Sequence, residues 1–110
     1  MTYETYEPAA GASPVAGSEP GPWRVAIEYS NKGQAKPSTI VQIGSTEFAS
    51  HADALATAQR TAFEYNPPDP WSPQRRDVFR DGPDGFLVVI QGATSTFHMS
   101  VRLVEHLGGG

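Results

Sequence analysis

Apolar and polar side chains first alternate along this chain at Trp23-Arg-Val-Ala-Ile-Glu-Tyr29, where Trp23, Val25, Ile27 and Tyr29 share one parity. That period of two predicts a half-buried strand. Asn31-Lys-Gly-Gln34 supplies turn chemistry, and Pro37 lets the next strand begin only after it. Thr39–Ile43 is β-branched apart from Gln42 and predicts a second strand. Ser50 is a good N-cap, with Asp53 in the first turn as a capping-box variant. A helix is therefore expected from about His51 to Tyr65, ending before Asn66-Pro67-Pro68 because a residue preceding proline avoids the helical region. Its alanines 52, 54, 56, 58 and 62, with Leu55 and Phe63, predict close packing on a sheet.

The stretch Asn66-Pro-Pro-Asp-Pro-Trp-Ser-Pro73 reads as a stiff extended connection. Strand-like runs follow at Arg76–Arg80, Phe86–Gln91 and Thr96 to about Leu107, with turns at Asp81–Gly85 and Gly92–Ser95. Placing Gln91 opposite Thr96 pairs Ile90 with Phe97, Val88 with Met99 and Phe86 with Val101, all apolar on one face. The opposite face then pairs Val89 with His98 and Leu87 with Ser100. The last strand outruns Phe86–Gln91, so its overhang must pair with Trp23–Tyr29 or with another chain. The order is ββαβββ, an α+β domain with one helix on a mainly antiparallel sheet and a C-terminal three-stranded meander.

Composition places the domain boundary. Residues 1–22 hold Pro8, Gly11, Pro14, Gly17, Pro20, Gly21 and Pro22 on an Ala/Ser background, with Val15 as the sole sizeable aliphatic side chain. Such a segment cannot bury enough apolar surface to offset the entropy of ordering it, so a disordered tail is expected. Residues 23–107 then form the domain and Gly108–Gly110 a flexible end. Glu4, Glu7 and Glu19 carry most of the formal net charge of −4, which leaves the domain near neutral, about −1 by subtraction. The start Met-Thr-Tyr-Glu-Thr-Tyr-Glu has no basic region or apolar stretch, and the longest apolar run is Phe86–Ile90. Neither a signal peptide nor a membrane span is expected, and a cytoplasmic location follows.

The segments Trp23…Glu28-Tyr29, Asn66-Pro-Pro-Asp-Pro-Trp-Ser-Pro-Gln74, Gly85-Phe-Leu-Val-Val and Gly92-Ala-Thr-Ser-Thr-Phe-His98 resemble a family of small uncharacterised proteins of streptomycete-type actinobacteria. The resemblance covers about residues 23–107. It implies a cytoplasmic bacterial protein and brings no activity with it.

Candidate chemistry is sparse. There is no cysteine, which removes disulfides, thiolate metal sites and thiol catalysis. No Gly-x-Ser-x-Gly elbow occurs, and His98 beside Ser100 and Thr96 is too little for a triad. Of His51, His98 and His106, the last two share a strand face but stand about 26 Å apart at regular strand spacing, too far for one metal. Asp81-Gly-Pro-Asp84-Gly85 lacks the third, fifth and distal ligands of a calcium loop and reads as a turn. No catalytic residue, metal or cofactor is expected. Arg24, Arg75, Arg76, Arg80 and Arg102 could meet phosphates, but Glu28, Asp77, Asp81 and Asp84 lie among them, so nucleic acid is disfavoured. The ending Leu107-Gly-Gly-Gly110 is similar to the Gly-Gly tail of ubiquitin-like modifiers and sulfur carriers. Their last strand arrives by a long connection, whereas Gly92–Ser95 is a tight turn.

Interaction is the remaining class. The outer sheet face is expected to carry apolar Ala26, Leu87, Val89 and Val104 beside polar Arg24, Glu28, His98, Ser100 and Arg102, an apolar centre with a charged rim. Trp71 reads as a plug over the helix end or, alternatively, an exposed anchor. The expected partner is an unidentified protein or a second copy, met through the sheet face or edge.

Overall fold

The structure, a computed structural model, describes residues 21–31 and 38–110. The tail through residue 20, the Lys32–Gln34 part of the expected turn, and Pro37 lie outside the described residues.

Alternation at Trp23–Ser30 makes β1, and the β-branched run Thr39–Ile43 makes β2, antiparallel to it. The connection after β2 runs back along β1. Gly44 N donates to Val25 O at 2.9 Å, and Trp23 and Phe48 exchange backbone hydrogen bonds of 2.8 Å in each direction. That return positions Ser50, whose Oγ accepts from Asp53 N at 3.2 Å and starts α1, His51–Glu64. The helix ends at Tyr65, ahead of the prolines, as expected. β3 (Arg75–Arg80), β4 (Gly85–Gln91) and β5 (Thr96–Glu105) form the antiparallel meander. The five-stranded sheet has the order β2-β1-β5-β4-β3, and the α+β ββαβββ architecture is as expected.

The β4–β5 register is the expected one, from Gln91 opposite Thr96 to Phe86 opposite Val101. The overhang of β5 pairs within the chain: Val101 to Glu105 lie opposite Ile27 to Trp23. The strand stops at Glu105, short of Leu107, because Pro22, next in line opposite His106, has no N–H to continue the ladder. His106 N closes the ladder on Pro22 O at 3.0 Å.

One face of the sheet meets the helix. Ala54, Ala58 and Ala62 recur every four residues along α1 and are fully buried, so their small side chains let the helix approach closely. Against them lie Val25, Ile27 and Tyr29 of β1, Phe86, Val88 and Ile90 of β4, and Phe97, Met99, Val101 and Leu103 of β5. Phe63 departs from the expected packing. It is 57% exposed, because it sits about 100° around the helix from Ala62, off the buried stripe. The C-terminal carbonyls of α1 are closed from β3, where Arg76 donates to Ala62 O (2.8 Å), Tyr65 O (2.6 Å) and Asn66 Oδ1 (3.2 Å).

Candidate interaction surface

The pleat that sends the core side chains to α1 sends their neighbours to the opposite face, which no element covers among the described residues. Ladder pairing fixes its rows. Ile43, Ala26 and Arg102 lie side by side across β2, β1 and β5, and the next row runs Val41, Glu28, Ser100, Leu87 and Phe79 across all five strands. His98, Val89 and Asp77 form a third row, and Arg24 lies opposite Val104 at one end. Every face residue expected from the sequence is therefore on this face.

The arrangement differs from an apolar centre with a charged rim. Arg102 Nη1 donates to Glu28 Oε1 at 2.8 Å and to Ser100 Oγ at 3.3 Å, so an ion pair occupies the middle. It stands there because Arg102 is opposite Ala26, whose side chain is too short to compete for the space and is itself buried. Apolar groups are split to either side. On one flank are Phe79, half exposed, with half-buried Leu87 and Val89; on the other are Val41 and Ile43, both more than half exposed. A hollow of about 320 Å³ lies between the flanks, lined by Glu28, Ser30, Thr39, Leu87, His98 and Ser100 among others.

The sequence leaves the exposure of Phe79 open and assigns Val41 and Ile43 to neither face, since the registers of the two outer strands depend on loops whose geometry composition does not reveal. Their parity relative to Leu87 and Ala26 becomes readable only once those registers are known.

Trp71 stands clear of the core at 74% exposure, so it is exposed rather than a plug over the helix end. Its neighbour Pro70 is the buried residue of that loop. Pro70 rests on the β4–β5 turn so closely that a Cβ at Gly92 would lie 2.7 Å from both Pro70 Cβ and Trp71 O. Glycine at position 92 is the sequence trace of that approach.

The arginines offered for phosphate are engaged. Arg24 Nη2 meets Glu47 Oε2 at 2.7 Å, which holds the Glu47 carboxyl below its ordinary value, and Arg75 grips Asp77, which raises the guanidinium's own. Arg80 donates to Gly82 O and Pro83 O and lies over the Phe86 ring. Arg76 is committed to the helix end, where burial lowers its pKa.

His51 Nε2 lies 2.7 Å from Asp84 Oδ1 and its ring stands edge-on to Trp23 at 5.1 Å, a cluster drawn from three distant stretches of chain that sequence spacing does not reveal. Among the described residues, no group of three His, Cys, Asp or Glu side chains is placed to hold a metal ion, and no helix is long and apolar enough to cross a membrane. Comparisons with protein-family models, with curated proteins and with solved structures find no match.

Proposed function

We propose that this chain is a non-enzymatic protein-interaction domain of the cytoplasm that presents the outer face of its sheet, with Trp71 as a second contact, to a protein partner. One observation carries the reading. A single helix covers one face of a five-stranded sheet, and the other face keeps Phe79 half exposed beside Leu87 and Val89. Contiguous apolar surface of this kind, flanked by an ordered ion pair, suits a contact surface better than a solvated one. The nucleic-acid reading loses ground because Arg24, Arg75, Arg76, Arg80 and Arg102 already have carboxylate or carbonyl partners. The carrier reading loses ground because β5 is antiparallel to both its neighbours and follows β4 by a tight turn.

Photo-crosslinking in the cells that make the protein tests the proposal. A benzophenone side chain at position 79 or 87 should give discrete protein adducts, and the same group at Gln59, on the exposed side of α1, should not. Adducts from Gln59 alone, or from none of the three positions, would refute it.

A further inference from the structure

The two edges of the sheet are treated differently by the sequence. β3 carries Arg75, Arg76, Asp77 and Arg80, the charges that natural sheets place on an edge to prevent strand addition. β2 is Thr-Ile-Val-Gln-Ile, without a charge, and all of it but Ile40 is exposed. Its open side can be located atom by atom. Gly44 N donates to Val25 O and Asn31 N to Ser38 O, so the alternation of an antiparallel ladder turns residues 38, 40, 42 and 44 toward β1. Thr39, Val41 and Ile43 therefore point their N–H and C=O groups away from the sheet. Among the described residues no backbone group meets them.

We infer that the β2 edge pairs antiparallel with β2 of a second copy, about a two-fold axis through Val41, to give one sheet continuous across the dimer. The inference rests on reading the chain as an interaction domain and adds the partner and the contact. Self-complementarity selects a second copy. With Val41 opposite Val41, Thr39 faces Ile43 and Ile43 faces Thr39 on the outer side, so β-branched residues meet β-branched residues and no like charges oppose. The outward groups of residues 39, 41 and 43 meet their counterparts in about six ladder hydrogen bonds.

On the inner side, Ile40 of each copy falls opposite Gln42 of the other. Gln42 lines a cleft of about 280 Å³ with Val25, Ile27, Phe48, Thr57 and Thr61, left open because α1 packs on β1, β5, β4 and β3 but not on β2. The incoming isoleucine stands at its mouth. From Pro8 onward the N-terminal tail is a poor alternative occupant, since its prolines interrupt a ladder, and residues 1–7 would bring Glu4 and Glu7 against an edge that carries no cation. Five residues per strand make a small interface, below about 1,200 Å² in total, and such contacts are weak, with a Kd on the order of 100 µM.

The full chain should sediment as a monomer at about 10 µM and approach twice the monomer mass at about 1 mM, tenfold above that Kd. Val41→Pro, which removes the central donor, and Val41→Lys, which opposes like charges across the axis, should both stay monomeric at the higher concentration. Both should melt within about 3 °C of the parent, since position 41 is exposed. In this cysteine-free chain, Val41→Cys should oxidise to a disulfide dimer at least tenfold faster than Phe79→Cys, an equally exposed position on the other edge strand. A parent monomeric at 1 mM, a dimer that survives Val41→Pro, or equal oxidation rates would overturn the inference. Those outcomes leave the crosslinking at positions 79 and 87 to decide the broader reading by itself.

Discussion

Replacing Arg76 by methionine should destabilise the fold by about 2 kcal/mol, and the reason lies at the end of α1. The helix has no basic residue in its last turn, and its C-cap, Tyr65, is extended (φ −68°, ψ 132°) rather than left-handed. Only Thr61 O is answered locally, by Tyr65 N at 2.8 Å. Arg76 reaches across from β3 to close Ala62 O, Tyr65 O and the Asn66 side chain. Three charge-assisted hydrogen bonds at about 1.5–3 kcal/mol each would overstate the loss. Burial of the guanidinium, seen in its lowered pKa, offsets part of the gain, and water reaches half-buried Tyr65 and exposed Asn66 once the side chain is gone. About 2 kcal/mol remains, which for a domain of this size is a fall in Tm of roughly 10 °C.

Arg76→Lys keeps a cation at the negative end of the helix dipole but has no planar fork to span two carbonyls, so it should recover about half the loss. Arg75→Met, at an exposed pair with Asp77, should leave the midpoint unchanged. Urea unfolding followed by circular dichroism measures all three, with an unchanged m-value confirming that the folded states are comparable. A methionine variant within about 0.5 kcal/mol of the parent would refute the capping role, and a fully stable lysine variant would reduce it to charge alone.

Gly92→Ala should cost about 2–3 kcal/mol by the same assay, because its Cβ meets Pro70 Cβ and Trp71 O at 2.7 Å and neither is a flexible chain end; a loss below about 0.5 kcal/mol would show that the loop yields freely. Val88→Ala, at a fully buried site, should cost about 2–3 kcal/mol from lost burial and a residual cavity, and a smaller loss would mean that the core collapses to fill it. Tyr29 should ionise above the ordinary 10.0, because burial chiefly, and then Tyr65, disfavours its phenolate. Above that value the unfolded chain releases the proton first, so stability is full below pH 10.0 and falls as pH rises through the folded-state pKa. Tyr29→Phe should flatten that alkaline fall, and identical pH profiles for the two proteins would contradict the assignment.

What could be read beforehand was what alternation and turn chemistry determine together. Gly92–Ser95 is a short turn between two runs whose apolar residues match in parity, and a slip of one residue would have put Phe97 and Met99 into water. The overhang of the last strand left Trp23–Tyr29 or another chain as its partner, and the ladder to Trp23–Tyr29 decides between them. The helix was legible in position but not in rotation. Alanine at 54, 58 and 62 is the stripe that buries, yet the size of Phe63 outweighs it in any reading that ranks residues by hydrophobicity. Trp71 and Pro70 invert the same expectation. The small ring fits against Gly92, and the loop direction that results carries the indole outward. The partners of Arg76 and His51 lie on other elements and depend on packing between layers, which no local pattern encodes.

One geometric mismatch connects the surface, the edge and the exposed residues. A helix about 10 Å across cannot shade five strands spaced about 4.8 Å apart, which together are roughly 20 Å wide. β2 falls outside that shade, and the whole outer face does too, so the helix could not bury Val41, Ile43 and Phe79 however it were turned. A sequence selected only to fold would place polar groups there. This one places charge selectively instead. Arg75, Arg76, Asp77 and Arg80 guard β3, the ion pair of Arg102 and Glu28 fixes the middle of the face, and Thr39–Ile43 is left bare. Charge is thus present where strand addition would be harmful and missing at the one edge whose residues can pair with their own copies, which is why that edge, rather than the face alone, is where self-association should be sought.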